Sequence, residues 1–293
     1  MTDSSISRFH RFRHIFQEPW DTAPEADFPL FTTDTPFRLE DYQNESANNS
    51  VGAFDHMVQA IPSELFLDLG CGRRSHKFEN CLYLEVYPSV SADIIVGADC
   101  TYPIRDESFA GIGCFAVLEH VRKPWLVVRE IRRMLKPGGR AFIDWPFLQP
   151  VHGYPSHFFN ATREGLTSIF EDEGFKVLHA ETGPHQTAAY TIWWILGRFA
   201  HQIADAGLRR EFHQMRVGDL IKMDRQDPIW WKFLNALPPA AFAELACGNM
   251  LIADKEGGPL QYTPENLPDV PVPEPEVVST GHKRRLMDRI LRR

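Results

Sequence analysis

The run Leu67-Asp68-Leu69-Gly70-Cys71-Gly72 carries an apolar segment, opened by Leu65 and Phe66, into a turn with two glycines. A short apolar run bounded by turn signals reads as a buried strand. Glycine lets the backbone approach a ligand closely, so an acid near a strand's end before Gly-x-Gly suits a nucleotide site. As a dinucleotide fingerprint the stretch gives Gly70-x-Gly72-x-x-Ser75, a near miss, and nine residues separate Gly72 from Leu82. That is too few for the full helix that receives a pyrophosphate. A nicotinamide-dependent oxidoreductase is therefore the weaker alternative.

Working outward, Phe54, Met57 and Val58 fall at helical spacing before Pro62. Apolar runs of strand length recur at 82–86, 94–96, 111–115, 141–145, 175–179 and 250–253. Between them, Pro124 opens a helix through Leu126, Val128, Ile131 and Leu135 that closes at Lys136-Pro137-Gly138-Gly139, and Thr162 opens another that ends at Gly174. Such alternation calls for a parallel sheet covered on both faces, with its ligand beyond the carboxyl ends of the strands. Glu85 closes the second strand and Asp99 follows the third. The first can accept both ribose hydroxyls and the second an adenine amino proton, which outlines a nucleoside pocket.

Composition limits the alternatives. The 293 residues are 43% hydrophobic and 12% aromatic, enough for a sizeable core, and the net charge of -8 argues against a surface that grips nucleic acid. Five scattered cysteines without a C-x-x-C pair suit free thiols in a reducing, cytoplasmic setting and give no thiolate metal site. The longest apolar candidate for a membrane span, 188–199, is too short and contains Arg198. Residues 1–49 read as an N-terminal extension whose Arg8, Arg11 and Arg13 fit a basic surface helix better than an organelle transit peptide. Residues 50–256 read as the core domain, interrupted at 184–247 by a helical insertion rich in Trp and Phe that serves as core or as a homodimer contact. Residues 257–293 read as a Pro-rich linker and a basic amphipathic tail suited to peripheral membrane contact.

Three further stretches complete the ordered series: Tyr102 to Phe109, Val117-Leu118-Glu119-His120-Val121, and Glu130 to Gly139. With these the sequence resembles class I S-adenosylmethionine-dependent methyltransferases of type 11, from about Ser63 to Gly174. The resemblance implies an α/β fold: a Rossmann-like methyltransferase sheet, mostly parallel, whose last strand, at Asn249 to Lys255, runs antiparallel. It implies S-adenosyl-L-methionine as cofactor, with Asp68, Gly70 and Gly72 at its methionine end, Glu85 on the ribose, and Asp99 with the Cys100 backbone on the adenine. Phe115 and Ala116 would line the methyl-transfer site. The chain departs from the family pattern at Arg74, where a third glycine is common, at Ala110, where Asp is common, and in the shortened first helix.

Methyl transfer from a sulfonium is an in-line displacement, so alignment and a dry pocket are the main requirements, and no metal is needed. An alcohol or phenol acceptor also needs a base, for which histidine is suited near neutral pH. His152 and His157 follow the fifth strand and are the candidate catalytic residues, whereas His120 reads as a helix support. The stretch Pro146 to Asn160 resembles methyltransferases of bacterial surface-glycan clusters, with His157 and Asn160 where that subgroup commonly has Asp and Arg. The implied acceptor is an oxygen of a sugar or other small biosynthetic intermediate. A non-catalytic protein, with Arg74 filling the cofactor pocket, remains the second alternative.

Overall fold

The computed structural model describes residues 5–17, 30–31, 52–97, 101–153, 156–183, 186–224 and 227–245. Six strands form one sheet: β1 (Leu30–Phe31), β2 (Phe66–Leu69), β3 (Cys81–Glu85), β4 (Ile94–Ile95), β5 (Phe109–Phe115) and β6 (Leu135–Asp144). Their order is β1-β4-β3-β2-β5-β6, and every pairing is parallel. The described sheet therefore lacks the antiparallel last strand expected at Asn249 to Lys255, a segment that lies outside the described residues together with the linker and basic tail. Residues 175–179, expected as a strand, pair with no strand among the described residues. Phe175 and Val177 rest on the core while Leu178 is exposed. A short apolar run can therefore come from packing on the core without joining the sheet.

β2 lies at the centre, with Asp68 opposite Tyr83 on one side and Gly113 on the other. Successive side chains alternate between the sheet's two faces. Leu67, Leu69, Leu82, Leu84, Ile94, Ile112 and Cys114 point to a core shared with α3 (Pro124–Met134) and α4 (Arg163–Asp172). Phe66, Cys81, Tyr83, Ile95 and Phe115 point to the opposite face, where α2 (Gly52–Ala60) supplies Phe54 and Val58. Phe54 meets the rings of Phe66, Phe115 and Phe142 edge-on. Thr162 caps α4, its hydroxyl accepting from the Gly165 N–H at 3.0 Å, which satisfies a donor the helix cannot.

The amino-terminal segment joins this core. α1 (Ser5–Phe12) and the turn after it bury Phe12, Ile15 and Phe16 in the α3/α4-side cluster. Phe16 also bridges to Ile104, and Arg105 donates to the Phe16 carbonyl at 2.9 Å. The expected boundary at residue 49 thus divides residues that share one core.

Five helices follow β6 and α4: α5 (Ala188–Gln202), α6 (Ala206–Gln214), α7 (Val217–Lys222), α8 (Pro228–Leu234) and α9 (Pro239–Glu244). Ala200, Ile203, Phe212 and Phe233 form their own small core, against which Phe199 and Trp230 pack. Asp205 and Asp227 cap α6 and α8. Trp193 and Trp231 remain exposed. Among the described residues no helix is long and apolar enough to cross a membrane.

Candidate active site

β2 delivers Asp68 and then the turn Gly70-Cys71-Gly72 to the carboxyl end of the sheet. Gly70 has φ +72°, and a Cβ there would stand 2.3 Å from Cγ2 of Val117, so the turn and the segment after β5 close on each other only because Gly70 has no side chain. From β3, Glu85 is buried and turns back on the backbone: Oε2 accepts from the Gly72 N–H at 2.8 Å and Oε1 from the Val86 N–H at 2.7 Å. The Ser89 hydroxyl donates to the Gly72 carbonyl at 2.6 Å, and Ser91 Oγ accepts from the Arg74 N–H at 2.8 Å. The glycine turn is thereby stitched to the segment that leads into β4.

No helix forms between β2 and β3. In its place Arg74 folds over Asp68, with Nε 2.7 Å from Oδ2 and Nη2 3.0 Å from Oδ1. Burial pushes the Asp68 carboxyl above its ordinary range, and the Arg74 guanidinium draws it back. A helix N-terminus that could receive a pyrophosphate is thus absent from the place a nicotinamide cofactor requires. The residue types suit S-adenosylmethionine, whose ammonium group and ribose hydroxyls need acceptors: two buried carboxylates, Asp68 and Glu85, stand near the ends of adjacent strands, Asp68 held by Arg74 and Glu85 by the Gly72 and Val86 N–H groups. Asp99 and Cys100 lie outside the described residues.

β5 ends at Phe115, which is buried against Phe54. Ala116 follows with φ +54°, a left-handed conformation rare for a residue with a Cβ, and donates to the Asp144 carbonyl at 2.9 Å. The single turn Leu118–His120 comes next. Its Glu119 carbonyl accepts from the N–H groups of Phe158 and Phe159, while Trp145 donates to the Phe159 carbonyl at 3.0 Å. These bonds fold the loop after β6 over the end of β5.

Three imidazoles meet there. Ring centroids are 5.5 Å apart for His120 and His152, 5.6 Å for His120 and His157, and 4.6 Å for His152 and His157. His120 Nδ1 lies 2.9 Å from the Ser156 carbonyl and His152 Nδ1 lies 2.8 Å from the Pro150 carbonyl. A carbonyl only accepts, so both rings carry their proton on Nδ1 and keep a lone pair on Nε2. His157 has both nitrogens engaged: Nδ1 accepts from the His152 N–H at 3.2 Å, and Nε2 donates to Asn160 Oδ1 at 2.6 Å. Burial lowers the pKa of His120 to about 4 and also lowers that of His152, so both rings are neutral. Trp194 of α5 packs 4.9 Å from His152.

Glu119 is the residue that sequence reasoning passed over. It is fully buried, and neither carboxylate oxygen has a hydrogen-bond partner. Burial pushes its pKa up to about 8, opposed by its own backbone N–H and helped by the nearby Asp144 charge. The available signal was an acid set in the apolar run Val117-Leu118-Glu119-His120-Val121.

A parallel sheet with a glycine turn after its central strand and acids near adjacent strand ends is the arrangement that class I S-adenosylmethionine-dependent methyltransferases share. Residues 67–143 match the type 11 methyltransferase-domain family model. Similar solved structures include an S-adenosylmethionine-dependent methyltransferase from Mesorhizobium loti, at 15% identity and TM-score 0.31, covering 43% of this chain and 80% of that one. Another is the YcgJ protein of Bacillus subtilis, at 15% identity and TM-score 0.33, covering 54% and 87%. A third is phosphoethanolamine N-methyltransferase 2 of Haemonchus contortus in complex with S-adenosylmethionine, at 16% identity and TM-score 0.32, covering 61% and 48%. No curated protein matches the sequence.

Proposed function

We propose that the protein moves the methyl group of S-adenosylmethionine to an oxygen of a small acceptor, a sugar or glycan intermediate in biosynthesis. The observation that carries this reading is the pair of neutral imidazoles, His120 and His152, presenting Nε2 lone pairs beside the end of β5. When bound, the cofactor supplies an electrophilic methyl on a sulfonium. In this reading Asp68, Gly70 and Gly72 hold the methionine end, Glu85 the ribose, and Asp99 with Cys100 the adenine. Phe115 and Ala116 then keep water from the transfer site.

His152 Nε2 is the better of the two candidate bases for the acceptor hydroxyl. His157, with both nitrogens engaged, holds the His152 backbone and so acts as a positioning residue. Phe147, Leu148, Val151 and Phe158 of the same loop are exposed and offer apolar surface to the carbon face of a sugar ring.

The test is calorimetric titration of the full chain with S-adenosylmethionine and S-adenosylhomocysteine, with NAD as control. A screen of nucleotide sugars and glycan intermediates for transfer of labelled methyl follows. Binding of both sulfur nucleosides and labelling of a hydroxyl-bearing acceptor is the expected outcome. Binding of NAD alone would overturn the reading, and absence of all binding would favour a non-catalytic role.

A further inference from the structure

We infer that Glu119, His120 and His152 form a site for a divalent first-row transition cation of the zinc type. One oxygen of Glu119 and one nitrogen of each histidine lie within 4.8 Å of one another. Glu119 Oε1 and His120 Nε2 are 3.6 Å apart. Ligands at zinc distances of ~2.1 Å in a tetrahedral arrangement stand about 3.4 Å from each other, so this pair already has the spacing required.

Two independent features point the same way. First, a carboxyl group buried with no hydrogen-bond partner is costly, and a cation that displaces its proton would give both oxygens a partner and balance the charge. Second, the Nδ1 proton of each histidine is committed to a backbone carbonyl, Ser156 for His120 and Pro150 for His152. That outer contact is the one that orients metal-binding imidazoles, since it leaves Nε2 as the donor and makes it more basic. Two imidazoles and one carboxylate select zinc, iron or cobalt over magnesium, which prefers oxygen ligands throughout. Asp144 adds negative charge near Glu119, and Arg198 opposes it near His152.

Three protein ligands leave a position open. If the acceptor is a hydroxyl, as the proposed function holds, its oxygen can take that position and lose its proton to water more readily. The oxygen lone pair then forms the new C–O bond as the C–S bond breaks and its electron pair returns to sulfur. His152 is in that case a ligand and not the base.

The full chain, stripped with a chelator, is titrated with Zn2+ by calorimetry and with Co2+ by its visible absorption. One ion per chain is expected, with Glu119→Gln and His152→Ala each weakening Zn2+ binding at least about 100-fold. Both variants are checked by circular dichroism, so that if one does not fold the other still decides. A native chain that takes up no Zn2+, or uptake unchanged in the folded variants, overturns the site. S-adenosylmethionine titrated into the same samples separates the two readings: Zn2+ bound without the nucleoside removes the proposed function and keeps the site, and the reverse result does the opposite.

Discussion

Arg74 grips Asp68 by two parallel hydrogen bonds, and both side chains are almost sealed from solvent, at 7% and 2% exposure. The pair lies in the loop between β2 and β3, where no helix forms, and it holds in place the carboxylate nearest the turn. Removing one partner from a buried ion pair leaves the other charge uncompensated, whereas removing both does not. Arg74→Met should therefore destabilise the protein by about 3–5 kcal/mol in urea denaturation, and adding Asp68→Asn should recover a large part of that loss. Equal losses in the single and double variants would show that the pair contributes nothing specific.

Gly70→Ala meets two obstacles at once, a positive φ and a Cβ 2.3 Å from the Val117 methyl. The steric clash cannot be relieved by rotating a long side chain, because Val117 is β-branched and stiff. The expected cost is about 2–4 kcal/mol, summed from backbone strain and overpacking, together with loss of S-adenosylmethionine binding. Val117→Ala introduced alongside should restore only the packing part. Thermal melts and calorimetry on the two variants read both effects, and a Gly70→Ala protein with native stability would refute the close approach.

The parts of this fold that local pattern reveals are the ones that local pattern builds. Phe66 and Leu67 take opposite faces of β2 as their alternation requires, and Thr162 caps α4 where a Thr before an amphipathic run should. The amino-terminal contribution was not legible, because Phe12 and Phe16 reach their partners across long sequence separations and belong to a stretch of mixed, basic composition. Arg74 stood out as a departure from a glycine pattern, yet its partner depends on the path of a loop without a helix. His152 and His157 were legible as loop histidines after β6, but Glu119 became a site residue only when residues 146–161 folded over it. Burial imposed by a distant loop leaves no trace in the spacing of the residues it buries.

The amino-terminal segment is fastened by charge as well as by its aromatic rings. Asp93 takes Arg8 Nη2 at 2.5 Å, Lys77 Nζ at 2.6 Å and the Tyr83 N–H at 3.1 Å, and Arg8 also donates to the carbonyls of Phe78 and Cys81. Lys77 still faces Asp93 when Arg8 is lost, so Arg8→Ala should cost about 3 kcal/mol, toward the lower end for a broken buried pair. Deleting residues 1–17 removes Phe12, Ile15 and Phe16 from the core and should leave an insoluble or unfolded chain. A truncated protein that melts like the full chain would show instead that the segment merely rests on the domain.

Ala116 provides a graded test of strain at the end of β5. At φ +54° a Cβ crowds the backbone, and the cost is about 1–2 kcal/mol for Ala and more for a β-branched residue. Glycine removes that cost and raises the entropy of the unfolded chain by about 0.5–1 kcal/mol, so Ala116→Gly should leave stability unchanged or raise it by up to about 1 kcal/mol. Ala116→Val should lower stability by about 2 kcal/mol or more. The order Gly, Ala, Val in urea midpoints is the signature of left-handed backbone at this position, because side-chain burial alone would favour valine. The backbone donation from Ala116 to the Asp144 carbonyl holds the turn in place. A reversed order would mean that the turn relaxes to an ordinary conformation in solution, taking the end of β5 with it.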